Sequence, residues 1–144
     1  MSKWDSGLIG QPPYWQRAKN ELIASDSVMA EIIKNCGRGS LTSQGDPFVT
    51  LVRAIVAQQI SVHAAGSIFE RLEESVGAVT PENISAREEM ELHSVGLTRR
   101  KASYIRDMAL AFQDGSVSPT LWREKHDEAV IAELSMLRGI GRWT

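Results

Sequence analysis

Apolar residues in this chain recur three and four positions apart, and nowhere do they sustain the alternation of a half-buried strand. Phe48, Leu51, Val52, Ile55 and Val56 make one such stripe, opened by Asp46 as a cap and Pro47 as the first helical residue. Ser61 reads as the next cap, followed by the stripe Ala64, Ala65, Ile68, Phe69 and Leu72. Upstream, a helix is predicted over 14–24 after the Pro12-Pro13 turn. Asp26 caps a second that ends near Gly37, and residues 37–45 form a polar loop. Downstream, Thr80-Pro81 opens a short helix. Ser85 with Glu88 matches a capping box for a helix that stops by Gly96. Thr98 caps Arg99 to Gln113, with Gly115 just beyond, and Ser118-Pro119 opens another short helix. Asp127 is the predicted cap of the last full helix, whose core face holds Val130, Ile131, Leu134 and Leu137 before Gly139-Ile140-Gly141 breaks it.

The pattern predicts an all-α fold of many short helices, and 144 residues suffice for a hydrophobic core. No stretch approaches the roughly 20 apolar residues that cross a membrane, so no membrane partner is expected. The N-terminus lacks the apolar segment of a secretory signal. Cys36 is alone, which leaves no intrachain disulfide and no thiol metal site and points to a reducing, cytoplasmic location. The net charge of −2 gives no bulk attraction to polyanions. Any nucleic-acid contact must come from local cations and main-chain donors.

The segment Leu137 to Thr144 is the most informative for chemistry. Two glycines around Ile140 make a tight turn whose free N–H groups suit an anion such as a phosphate. Alone, a GxG of this kind reads chiefly as a plain helix-ending turn. The basic run Arg99, Arg100, Lys101 with Arg106 is either a phosphate contact or a solvated face. His63, His93 and His126 form no metal-ligand pattern, and the adjacent Glu73-Glu74 and Glu88-Glu89 are surface charge.

Leu137-Arg138-Gly139-Ile140-Gly141-Arg142-Trp143-Thr144 resembles the hairpin and second-helix opening of the helix-hairpin-helix (HhH-GPD) DNA glycosylases. Gly45-Asp46-Pro47-Phe48 with Arg53 to Ser61 resembles the hallmark segment of the DNA-3-methyladenine glycosylase II group. Val95-Gly96-Leu97-Thr98-Arg99-Arg100-Lys101-Ala102 is similar to the G-L-S-x-x-K-A segment of the same enzymes. The resemblance covers nearly the whole chain. It implies N-terminal helices over 1–44 packed on a glycosylase domain over 45–144 that ends within the hairpin motif.

By the same resemblance, Gln59 is the wedge that enters the duplex where a damaged nucleotide has flipped out, and Gln58 is structural. Gly139, Ile140 and Gly141 bind DNA phosphate through the main chain. Trp143 stands where lyase-type relatives carry a lysine. A tryptophan forms no Schiff base, so hydrolysis by water is implied, with the indole as a wall of the base pocket. Core packing is the alternative for Trp143, and Tyr14 and Trp15 are weaker pocket candidates. No cofactor is implied beyond a monovalent cation at the hairpin, and no metal site.

The implied activity is hydrolysis of the N-glycosidic bond of alkylated purines, such as 3-methyladenine, in double-stranded DNA during base excision repair. That chemistry needs a carboxylate to stabilise the cationic sugar. Asp107, Asp114 and Asp127 do not match the family's position, so no catalytic residue is assigned within the chain, and the fold is expected to be C-terminally incomplete. The alternative function is a non-catalytic DNA-binding or damage-sensing helical module. An incomplete fold would uncover the stripes Leu51–Ile55 and Leu134–Leu137, so self-association or a second polypeptide on that face is a further expectation.

Overall fold

Side-chain caps set where most helices begin. The structure, a computed structural model, describes residues 12–36 and 45–144, so the predicted polar loop lies almost entirely outside the described residues. The chain divides into two units, Met1–Asp46 and Pro47–Thr144. In the first, α1 (Trp15–Ser25) and α2 (Ser27–Asn35) pack on each other. The Asp26 carboxylate accepts from the N–H groups of Val28 (2.8 Å) and Met29 (2.9 Å), so two orphan donors of α2 are satisfied by one side chain.

The second unit runs through α3 (Pro47–Ala57), α4 (Val62–Val76), α5 (Pro81–Ser85), α6 (Glu89–Ser94) and α7 (Arg99–Gln113). A 3-10 turn over Pro119–Glu124 and α8 (Asp127–Ser135) follow. Among the described residues there is no strand. Ser61, Thr80 and Thr98 cap α4, α5 and α7 through their hydroxyls, each accepting from the N–H three residues on at 3.2 Å.

Helix α7 is the hub, packing on α3, α5 and α6, while α3 also packs on α4. Its inward face, Ala102, Ile105, Met108 and Ala109, is buried at the spacing of one helix side. Val52, Ile55 and Val56 of α3, Phe69 and Leu72 of α4, Ile84 of α5 and Leu92 of α6 complete the core. Phe48 meets Phe112 edge to face, ring centres 5.2 Å apart. Each fully buried Leu or Ile contributes about 1.5–3 kcal/mol, which offsets the low helix-forming power of five- and six-residue segments.

Four expectations need correction. Ser85 does not open a capping box. It is the last residue of α5, and its hydroxyl donates back to Glu82 O. The box belongs one turn later, where the Glu91 carboxylate accepts from the Glu88 N–H at 2.9 Å. Asp127 is the first residue of α8 rather than its cap; His126 holds the cap position without a side-chain bond. Helix α8 has no buried residue, so its apolar side is only half-buried, with Leu134 and Leu137 packed against the core. Finally, Leu51 and Ile55 lie inside the core rather than on an uncovered face, because α4 and α7 cover α3.

Candidate nucleic-acid interface

Three segments distant in sequence meet at one cleft of about 800 Å³. The α3–α4 junction brings Ala54, Ala57, Gln58, Gln59 and Ile60. The start of α7 brings Thr98, Arg100, Lys101 and Tyr104. The hairpin end brings Trp143 and Thr144.

The junction is tight. The Ile55 and Ala57 carbonyls accept from the N–H groups of Gln58 (3.3 Å) and Ile60 (3.4 Å), ending α3. Gln59 then takes φ 57°, the one positive φ outside glycine among the described residues. Left-handed backbone is unusual for a residue with a Cβ, and here it turns an exposed Gln59 side chain outward at the cleft. Gln58 does the opposite. Its half-buried side chain donates from Nε2 to Gly139 O at 2.8 Å, fastening the junction to the hairpin. The structural role expected of Gln58 is thus observed.

In the hairpin, Ile140 is buried and its N–H donates to Leu137 O at 3.1 Å. Gly139 has φ 87°, and a Cβ built on it would overlap the Tyr104 ring. Gly141 is different. Its φ is not positive, a Cβ there meets nothing within 4 Å, and its N–H donates to Thr144 Oγ1 at 3.2 Å. Only Gly139 therefore needs to be glycine for the fold. The N–H groups of Arg138, Gly139, Arg142 and Trp143 have no partner among the described residues, which leaves main-chain donors at the hairpin for an anion. Trp143 is fully exposed, so it fills no core. Tyr14 (exposed) and Trp15 (half-buried) belong to the N-terminal unit.

The basic cluster splits by partner. Lys101 Nζ donates to Val56 O and Gln58 O, both at 2.8 Å, and burial lowers its pKa from the usual lysine value. Arg106 Nε donates to Arg87 O at 3.1 Å. Those two cations serve the main chain. Arg142 is held by Glu128 through two bonds of 2.8 and 2.7 Å, and that bonding lowers the Glu128 carboxyl below its ordinary range. Arg138 pairs with Asp107 at 3.0 Å. Arg100, at the cleft, makes only long contacts of 3.4 and 3.3 Å to the Tyr104 hydroxyl and is the cation most available there. Tyr104 escaped the sequence analysis. Its signal is indirect, because a glycine at a helix end needs something packed against it. Among the described residues no cluster of His, Cys, Asp or Glu could hold a metal ion. No helix there is long and apolar enough to cross a membrane.

Residues 52–144 match the family model of the HhH-GPD superfamily base excision DNA repair proteins. The chain is 27% identical over 148 residues to DNA-3-methyladenine glycosylase 1 of Schizosaccharomyces pombe, a match covering all of this chain and 60% of that enzyme. It is 30% identical over 109 residues to the DNA-3-methyladenine glycosylase of Saccharomyces cerevisiae, covering 69% of this chain and 37% of the yeast enzyme. Among solved structures, the DNA-3-methyladenine glycosidase of Bacillus halodurans superposes with a TM-score of 0.74 at 32% identity, covering 87% of this chain and 59% of that one. The Schizosaccharomyces pombe 3-methyladenine DNA glycosylase in complex with abasic DNA superposes with a TM-score of 0.79 at 26% identity, covering 88% and 65%. The chain thus spans about 60% of the length of the fission-yeast relative. A family match over 93 consecutive residues, on a helical fold shared with these structures, shows that this chain belongs to the HhH-GPD superfamily of base excision DNA repair proteins.

Proposed function

We propose that this chain binds damaged double-stranded DNA and serves in the removal of alkylated purines such as 3-methyladenine by hydrolysis of the N-glycosidic bond. The observation that carries the proposal is the 2.8 Å bond from Gln58 to Gly139, which ties the Gln59 turn to the hairpin, beside a cleft lined by Gln59, Trp143 and Thr144. A wedge and a phosphate anchor must contact one duplex together, and this bond fixes their spacing. The names of the yeast relatives supply the substrate class.

In this proposal Gln59 fills the gap left by the flipped nucleotide. Flipping costs a few kcal/mol of stacking and pairing, and a filled gap slows its reversal. The free N–H groups at the hairpin hold a phosphate beside it. Carbonyls of Leu137, Gly139 and Gly141 each accept one hydrogen bond. Each keeps a second lone pair, which fits a weakly held monovalent cation. Trp143 offers an electron-rich face to a positively charged alkylated base and no amine for imine chemistry.

A second function is a damage-sensing module that grips DNA and cuts no bond; the Gln58–Gly139 bond positions wedge and anchor for either reading. Two measurements on the 144-residue chain decide. Chromatography of bases released from methylated duplex tests hydrolysis. Anisotropy with a duplex holding an abasic-site analogue, against undamaged duplex, tests damage binding. Base release supports the enzyme. Preference for the abasic duplex without release supports the module. Equal affinity for both duplexes with no release rejects both.

A further inference from the structure

We infer that Lys101 is a positioning residue for damage recognition: its ammonium group holds the α3–α4 junction in the conformation that presents Gln59. The inference rests on the proposed wedge role of Gln59. Its geometric support is independent of that role.

A left-handed residue with a Cβ persists only where its surroundings over-determine it. At Gln59 the surroundings can be named. Lys101 Nζ donates to the carbonyl before the junction, Val56 O, and to the carbonyl immediately preceding Gln59, Gln58 O, both at 2.8 Å. Two of its three N–H donors therefore bracket the turn. Val56 O is one of the orphan carbonyls at the C-terminal end of α3, where the helix dipole also favours a cation. Lys101 is itself fixed at both ends. Its N–H donates to the Thr98 hydroxyl in the cap of α7, and the neighbouring buried Ala102 locks that turn into the core. The junction is held from its other side by Gln58, whose amide reaches Gly139 O. Thus α7 sets the turn while Gln58 transmits its position to the hairpin. Free to rotate, Gln58 O and the following peptide would release Gln59 from φ 57° and swing its side chain off the cleft.

A lysine that contacted phosphate instead would contribute equally to damaged and undamaged DNA. A positioning lysine changes their ratio. The test compares the full 144-residue chain with its Lys101→Met, Lys101→Arg and Lys101→Gln variants. Affinity is measured on an abasic-analogue duplex and on undamaged duplex, with 2-aminopurine opposite the gap to report insertion of a side chain.

In Lys101→Met the preference for the abasic duplex falls about five- to tenfold and the 2-aminopurine signal loses its change on binding. Lys101→Arg, with donors enough to bridge both carbonyls, restores part of both. Lys101→Gln keeps one uncharged donor group and lies between; it also serves if Lys101→Met does not fold. Full wild-type preference in folded Lys101→Met or Lys101→Gln overturns the inference and leaves the wedge proposal standing. So does an equal loss on both duplexes, which would mark a phosphate contact. Absence of any preference in the wild-type chain overturns the wedge proposal and this inference with it.

Discussion

The two turns joined by the Gln58–Gly139 bond solve the same geometric problem in opposite ways. At the α3–α4 junction the chain enters left-handed backbone at Gln59, a residue with a full side chain. At the hairpin it does so at Gly139, where the space of a Cβ is already taken by the Tyr104 ring. The first turn keeps a side chain despite the conformational cost and is held by Lys101 and Gln58. The second has no room for a side chain, because an aromatic ring packs in its place. Strain is borne where a side chain is kept, and glycine stands where the Tyr104 ring comes close to the backbone.

The largest expected effect breaks the hairpin. Gly139→Val adds positive-φ strain to overlap with Tyr104 and costs about 3–5 kcal/mol. Gly141→Val, in open space with unexceptional φ, stays within about 0.5 kcal/mol of wild type. Chemical denaturation of both variants checks the pair. Equal losses would mean that the two glycines are equivalent. If Gly141→Val keeps its stability but loses DNA affinity, the loss reports close approach of a ligand to that backbone.

A smaller effect of opposite sign is expected at the other turn. Gln59→Gly relieves the left-handed backbone and raises stability by up to about 1 kcal/mol, while the preference for abasic duplex disappears. A lower melting temperature in Gln59→Gly would show that the turn is not strained.

The smallest effect lies behind the hairpin, in the seat of α8. Burial pushes the Glu133 carboxyl up, but hydrogen bonds from Lys125, Trp122 Nε1 (3.0 Å) and Ser118 N–H (3.4 Å), with the Lys125 charge, outweigh it and hold it below the ordinary glutamate value. A carboxyl held low in the folded state stabilises fully above its unfolded value, and that contribution is lost as pH falls through the folded one. Melting temperature should therefore fall on acidification through the carboxylate range, less steeply in Glu133→Gln. Parallel curves for the two proteins would remove Glu133 from the account.

What the sequence determined by itself is local. Periodic apolar positions and caps at Asp26, Ser61, Thr80 and Thr98 specify helices, because a cap and an amphipathic stripe act within a few residues. The Ser85 and Asp127 caps failed for the same reason: several polar residues near a helix start can cap it, and packing selects among them. The motif residues Gln59, Gly139 and Gly141 stand out in the sequence, but the difference in packing between the two glycines does not. Whether a glycine is required depends on what packs against it, and Tyr104 lies 35 positions away from Gly139. Likewise the sequence marks Lys101 as the lysine of the G-L-S-x-x-K-A segment, but not what its ammonium group contacts. Only the tertiary structure turns it inward to two carbonyls more than 40 residues upstream, because the packing of α7 on α3 decides which side of the helix faces the protein and which faces the solvent.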